Sequence, residues 1–400
     1  MESLECLFCQ KTYPLNLFYP FCPDCHEPLL FHYPPSKRAV HREKERPLER
    51  YSEFLPQLEL RPELSLGEGN TPLIRLERTR RKFELPLLYA KNELFNPTSS
   101  FKDRGSVVAV HKALSLGIDR IGTVSTGNMA NSTAAYGAKA GLKTFVLVKE
   151  DISRAKLTAT AVHNPILISV KGDYGDLFRK SFSIGQKYRI YFMNSVDPMR
   201  LEGYKVPGYE IFAQLGDHVP DYVFVPVSSG GHLIGLMRGF QDLKASGLSQ
   251  TLPVFIGVQA RGCSPIAQAF ALEKTRVERI DKPQTIAHAI SNPDPPGGNI
   301  LLKMMKESKG MVIDVSDQKI LKAQRILAEL EGLFCMPASA TTLAGLMKLS
   351  EKINFRPSDQ IVLMITGSGV KALDALASSK INVWPTALPD LEDRIKFFIS

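Results

Sequence analysis

The chemistry of this chain is most legible at four points where a loop ends at, or follows, a regular element. In Asn96-Pro97-Thr98-Ser99-Ser100-Phe101-Lys102-Asp103-Arg104-Gly105 a lysine opens a helix. Backbone N–H groups there have no intrahelical partner and the local potential is positive. A lysine condenses with an aldehyde only as the neutral amine, and desolvation or neighbouring positive charge can bring its pKa down from about 10.4 for that task. Taken alone, Ser-Phe-Lys-Asp is short enough to be an ordinary surface lysine. Ser125-Thr126-Gly127-Asn128 follows the run IGTV and opens the next helix. Its hydroxyls, glycine and amide can wrap an anionic group, although the same residue types make ordinary helix caps. Ser228-Ser229-Gly230-Gly231-His232 follows YVFVPV, and its glycines permit close backbone approach to a phosphate; paired glycines after a strand are also common. Thr366-Gly367-Ser368-Gly369 ends QIVLMIT and could equally be a tight turn. An amine able to condense with an aldehyde, together with three anion-ready strand ends, points to a phosphate-bearing cofactor far better than any one of these strings.

A second kind of chemistry sits at the N-terminus. Four of the six cysteines form Cys6-x2-Cys9 and Cys22-x2-Cys25, while Cys263 and Cys335 stand alone. Paired knuckles at this spacing can bring four thiolates around one zinc ion, and so short a segment needs such a staple to fold. The alternative is a pair of reduced or redox-active motifs. A site made of four cysteines would be closed, and therefore structural.

These residues must be positioned by the elements between them. Short apolar runs (LLYAK, IGTV, TFVLV, ILISV, IYFMN, YVFVPV, VFIGVQA, QIVLMIT) alternate with helical stretches such as VVAVHKALSLG, NSTAAYGAKAG and HLIGLMRGFQDLKASG. That alternation predicts an α/β fold with parallel sheets whose strands are buried on both faces. With 400 residues and 44% apolar side chains, the chain can fill two cores. No fixed-period repeat or low-complexity tract occurs. The stretch from Ser36 to about Pro62 reads as a linker, and the last residues, including Trp384, read as a tail packed on the body. The net charge of +9 is spread among acids, which gives no footprint for nucleic acid. No apolar run of membrane-spanning length and no leader-like N-terminus are seen, so a cytoplasmic protein is expected.

GEGNTPL at residues 67–73, NPTSSFKDRG at 96–105, STGNMANSTAAYGAKAG at 125–141, NSVDPMRLEG at 194–203, and then CMPASA and TGSG resemble, in order, the motifs of the threonine synthase family of fold type II pyridoxal phosphate enzymes. The cysteine-bearing segment resembles the N-terminal extension of several members. The resemblance implies two α/β domains around a cofactor cleft behind a small zinc ribbon. The ribbon would occupy 1–35, the linker 36–66, the larger domain 67–107 and 199–380, the smaller 108–198, and the tail 381–400.

It further implies that Lys102 carries the cofactor as a Schiff base and moves protons, with Phe101 packed nearby and Asn128 bonded to the phenolic oxygen. Ser125, Thr126 and Gly127 would bind the substrate carboxylate. Ser228, Ser229, Gly230, Gly231 and His232 would cradle the cofactor phosphate, and Thr366 would bond the pyridine nitrogen. Arg200 would hold a substrate phosphate, its alternative being an ion pair with Glu202 or another acid. Cys6, Cys9, Cys22 and Cys25 would ligate zinc. Two departures from the family pattern stand out: Met129 where a small hydroxyl residue is usual, and a phosphate loop poorer in Gly and Asn. The implied reaction turns O-phospho-L-homoserine and water into L-threonine and phosphate. Its rivals are β-replacement on O-phosphoserine, as in cysteate synthase, a serine/threonine ammonia-lyase, and a non-catalytic scaffold. A small phosphorylated amino acid as partner, and a homodimer by family analogy, complete the expectation.

Overall fold

Apolar runs alternating with helices build two parallel sheets in this chain, and a third, antiparallel, sheet precedes them. The structure is a computed structural model and describes residues 2–33, 37–150, 154–376 and 382–399. The first sheet contains β1 (Ser3–Glu5), β2 (Thr12–Pro14) and β3 (Leu30–His32) in the order β2-β1-β3. The chain then lays down β4 (Leu73–Arg75) and β5 (Leu87–Asn92) and leaves through the helix Lys102–Ser115. It builds a separate sheet from β6 (Arg120–Val124), β7 (Lys143–Lys149), β8 (Ile166–Val170) and β9 (Tyr191–Phe192), ordered β8-β7-β6-β9. It returns with β10 (Tyr222–Pro226), β11 (Val254–Ala260), β12 (Met311–Val315) and β13 (Gln360–Ile365), completing the sheet β12-β11-β10-β13-β5-β4. Only β4 runs antiparallel within that larger sheet.

The alternation of side chains along β10 and β13 divides the larger unit into two cores. Val223, Val225, Val362 and Met364 face one, with the helix Gly231–Ala245. Phe224, Ile361, Leu363 and Ile365 face the other, with the helix Pro337–Ser350. Both faces are therefore covered, as parallel strands require. The edge strand β8 departs from the expectation of full burial: Ile166 and Ile168 are exposed on a strand that, among the described residues, pairs with β7 alone.

Three further expectations are modified. The helix Lys102–Ser115 runs unbroken through the boundary expected at 107/108, so it belongs to both units mechanically. The stretch 36–66 is more than connection, since Tyr51, Phe54 and Leu55 lie in the core shared with Tyr209 and Phe240. Among the described tail residues, 382–399, every one is exposed, Trp384, Leu388 and Ile395 included, and Trp384 meets Phe398 at 5.0 Å within the tail itself. The expected buried position of these side chains was an inference from hydrophobicity, which does not say what covers them.

Candidate active site

The loop that presents Lys102 is fixed from both ends. Phe101 N–H donates to Thr366 O at 3.1 Å, and Ser368 N–H donates to Ser99 O, so the lysine loop and the Thr366–Gly369 turn lie antiparallel across the ends of β5 and β13. Ser99 takes φ of +54° to make the bend. The Asp103 carboxylate accepts from both Thr98 N–H and Thr98 Oγ1 at 2.7 Å, tying the loop back onto the first helical turn. Beneath it lies a wholly buried network. Arg104 reaches Glu93 and, at 2.8 Å, Glu210, while Lys91 meets Glu210 at 2.6 Å. Two cations and two carboxylates balance, and Thr71 and Asn70 of the GEGNTPL segment close the remaining bonds.

Lys102 itself is half-buried, its Nζ 4.4 Å from the Phe101 ring centroid and 5.7 Å from that of Tyr204. Burial, and then the charge of Arg200, bring its amine down to about 7. The aldehyde-reactive form is thereby accessible near neutrality. Phe101 is stacked on His232 at 4.0 Å, and burial together with Lys102 keeps that imidazole neutral. Both ring nitrogens of His232 are buried without a partner, as is the Tyr204 hydroxyl. Unmet polar groups in a cleft need an explanation, and a polar ligand supplies one.

Arg200 lies deeper than the sequence suggests, with no exposed surface. Its guanidinium donates to Met193 O at 2.6 Å, Ser106 Oγ at 3.1 Å, Thr133 Oγ1 at 2.6 Å and the Lys102 carbonyl at 3.5 Å. All four acceptors are neutral. The alternative pairing with Glu202 is not made; that carboxylate meets Lys205 at 2.6 Å and the Tyr33 hydroxyl of the N-terminal module. Met129 is buried one helical turn before Thr133, so both lie on one face of the helix Asn128–Lys139.

The anion-ready loops open onto the same region. The helix Asn128–Lys139 begins at Gly127 without a side-chain cap, and nothing lies within 4 Å of where a Gly127 Cβ would be. The helix Gly231–Ala245 likewise begins at Gly230, φ +94°, uncapped. A Cβ there would approach Gly297 O to 2.9 Å, and one on Gly231 would approach Ser195 O to 2.6 Å, so side chains are excluded and the N–H groups remain free for an anion. Asn292 Nδ2 donates to Ser229 Oγ at 2.7 Å from a loop that no motif marks.

At Thr366 the direction of the hydrogen bonds can be worked out. Ser339 Oγ accepts from Thr366 N–H and Gly367 N–H at 3.0 and 3.1 Å, which fills its two lone pairs and leaves its own hydrogen for Thr366 Oγ1 at 2.9 Å or the Gly367 carbonyl at 3.4 Å. The Thr366 hydroxyl is then left with its hydrogen to give outward. Ser339 lies within the CMPASA string, but no spacing rule marks it as the partner of Thr366.

In the N-terminal module the four cysteine sulfurs all lie within 4.8 Å of one another, with Cys9 and Cys22 at 3.7 Å. Zinc–sulfur bonds of about 2.3 Å in a tetrahedron place sulfurs about 3.8 Å apart. The two knuckles match, each followed by a left-handed residue: Gln10 at φ +61° and His26 at φ +58°. The donor set and geometry fit zinc.

Comparison with known proteins agrees with this geometry. Residues 64–367 match the family of pyridoxal-phosphate dependent enzymes. A threonine synthase of Methanocaldococcus jannaschii is 38% identical over 93% of this chain and 93% of its own. One from Halalkalibacterium halodurans is 38% identical over 86% of this chain and 94% of its own. Among solved structures, a fungal L-serine ammonia-lyase from Rhizomucor miehei superimposes with a TM-score of 0.66 at 17% identity, covering 78% of this chain and 99% of that one. Threonine deaminase isoform 2 from Solanum lycopersicum gives 0.64 at 18% identity, over 78% of this chain and 88% of that one. These two likenesses establish the shared fold.

Proposed function

The chain belongs to the pyridoxal-phosphate-dependent enzymes and, within them, to the threonine synthase family, and from that premise we propose that it converts O-phospho-L-homoserine and water to L-threonine and phosphate at Lys102. The observation that carries the reading is the placing of a wholly buried guanidinium, bonded to neutral groups alone, directly behind an amine whose proton affinity it lowers. Such a charge suits an anionic substrate.

Pyridoxal phosphate, when bound, supplies an aldehyde to a neutral lysine and a ring that draws electrons from the substrate's α-carbon. The fit rests on the uncapped helix at Gly230, the partnerless His232 and the outward hydrogen of Thr366. Ser228, Ser229, Gly230, Gly231 and His232 hold its phosphate, Asn128 donates to its phenolic oxygen, and Phe101 packs beside it. Thr366 donates to the pyridine nitrogen, which keeps that nitrogen an acceptor and tempers the ring's pull on electrons. Ser125, Thr126 and Gly127 receive the substrate carboxylate.

Arg200 answers the substrate phosphate, with Thr133 between them: its hydroxyl accepts from the guanidinium and has a hydrogen left to give. It stands one turn from Met129 and supplies the donor that Met129 lacks. Burial is the larger cause of the depressed Lys102 amine, and the same phosphate offsets the second, the Arg200 charge. The lysine therefore arrives as a neutral nucleophile and becomes a stronger base once substrate is in place, able to carry a proton between the substrate's α- and β-carbons. Water adds at the β-carbon after phosphate departs. We assign Cys6, Cys9, Cys22 and Cys25 to one structural zinc ion.

The test is phosphate release and product analysis with O-phosphohomoserine and O-phosphoserine in turn. Threonine and phosphate are expected from the first substrate alone. Turnover of phosphoserine without threonine from phosphohomoserine would move the enzyme to β-replacement and overturn the assignment.

A further inference from the structure

Lys371 follows the Thr366–Gly369 turn by two positions, and none of the roles above uses it. Its ammonium is partly buried and donates to the Thr98 carbonyl and, at 3.1 Å, to Asn128 Oδ1. When the Asn131 carboxamide is turned so that both its atoms meet complementary partners, Asn131 Oδ1 becomes a further acceptor at 3.1 Å, while its nitrogen faces His163 Nε2 and Ala159 O. Thr98 and Lys371 belong to the unit of the larger sheet. Asn128 and Asn131 stand on the first helix of the smaller one, so the lysine joins the two units across the cleft. Asp103 is the carboxylate whose field reaches it.

An ammonium has three hydrogens and no acceptor. A carboxamide can therefore face it with oxygen and not with nitrogen. Held by its oxygen, Asn128 turns Nδ2 the other way, toward Met336 Sδ at 3.8 Å and within 3.3 Å of where a Gly367 Cβ would stand. Thioether sulfur is a weak acceptor, so this N–H2 remains available for a better one.

We propose that Lys371 is a positioning residue that locks the Asn128 carboxamide with its N–H2 toward the cleft, so that the phenolic oxygen of the cofactor meets a donor and not the amide oxygen. The inference rests on the assignment of Asn128 to that oxygen. Without Lys371 the amide is free to turn over and set two oxygens against each other.

The holoenzyme and its Lys371→Met, Lys371→Arg, Asn128→Ala and Lys371→Met/Asn128→Ala variants separate the possibilities. The readouts are the position of the visible band of bound pyridoxal phosphate and the dissociation constant from titrating the cofactor into apo-protein. Lys371→Met should shift the band and weaken binding by about three- to tenfold, the scale of one hydrogen bond. In the Asn128→Ala background the same change should do neither, and Lys371→Arg, which can still donate, should restore the band. An equal effect of Lys371→Met in both backgrounds would show that it does not act through Asn128 and would overturn the inference. So would an unmoved Lys371→Met beside a shifted Asn128→Ala, which spares the role of Asn128. If Asn128→Ala moves nothing, that role falls and the inference with it. Should Lys371→Met fail to fold, Lys371→Gln is read by the same criteria, because its amide can accept as well as donate and no longer dictates which end of Asn128 it meets.

Discussion

Removing the charge of Arg200 should make Lys102 a poorer nucleophile toward the cofactor. Burial, with Arg200 second, brings the Lys102 amine from an ordinary 10.5 to about 7. At about pH 7.5 an unperturbed lysine is neutral in roughly one molecule in a thousand, whereas one titrating near 7 is neutral in roughly three of four. A unit charge several ångströms away at an effective dielectric of about 20 contributes about 2 kcal/mol, or between about one and two pKa units, and that is the share assigned to Arg200. Arg200→Met should therefore move the midpoint for capture of pyridoxal phosphate by apo-protein up to about 8 to 9 and slow capture near neutrality by roughly tenfold, with the two proteins converging in alkali. Stopped-flow absorbance across the pH range measures this directly. Superimposable profiles would exclude Arg200 as a control on the amine, and a wild-type midpoint near that of free lysine would exclude burial as well. The sign of the linked stability is also fixed. The folded pKa lies below the unfolded one, so between about 7 and 10.5 the unfolded chain holds a proton that the folded chain has released. Apo-protein should gain stability as pH rises through that window, and Arg200→Met should narrow the window from below.

Glu210→Gln leaves Lys91 and Arg104 buried with one carboxylate between them and should cost about 3–5 kcal/mol, read as a lower urea midpoint; wild-type stability would show the network to be dispensable. Burial alone would raise the pKa of Glu210, but Arg104 and Lys91 hold it well below the ordinary 4.5, so its contribution is complete above that pH and is lost on acidification below it. Ser339→Ala frees the Thr366 hydroxyl to turn and strips an acceptor from two backbone N–H groups, so cofactor affinity should fall about five- to tenfold in a fluorescence titration. Unchanged affinity would exclude that role. Elemental analysis should find about one zinc per chain, and its removal by chelation should lower the thermal midpoint; a metal-free protein with an unaltered midpoint would remove the zinc assignment.

The strands of both parallel sheets were legible where long apolar runs met turn residues, as in QIVLMIT and VFIGVQA. Met311–Val315 escaped notice because five residues with an aspartate among them carry little periodic signal, and its neighbours, not its own pattern, make it a strand. The site shows the same division. Residue types announced an amine and anion-binding loops, because helix starts have a local grammar. That Arg200 is sealed in, with acceptors from the helices of Ser106 and Thr133, depends on how three helices pack, and no string records it. Lys371 lies two residues past the recognised TGSG string, yet its partner Asn128 lies 243 positions earlier, beyond any spacing rule. The tail failed in the opposite direction: its aromatics read as packing, and they are exposed.

The way the N-terminal module meets the body bears on how such a chain could be shortened or recombined. Tyr33 bonds Glu202 at 2.6 Å on the helix Pro198–Gly203 that carries Arg200, Arg238 of the helix Gly231–Ala245 donates to Phe31 O, and Lys205 bridges Glu202, Asp242 and the Phe54 carbonyl. A single deletion of the module would open a largely buried ion cluster and would loosen the helix that carries Arg200. A graft of this ribbon onto a related body would find the same contacts only where Glu202, Lys205, Arg238 and Asp242 came with it.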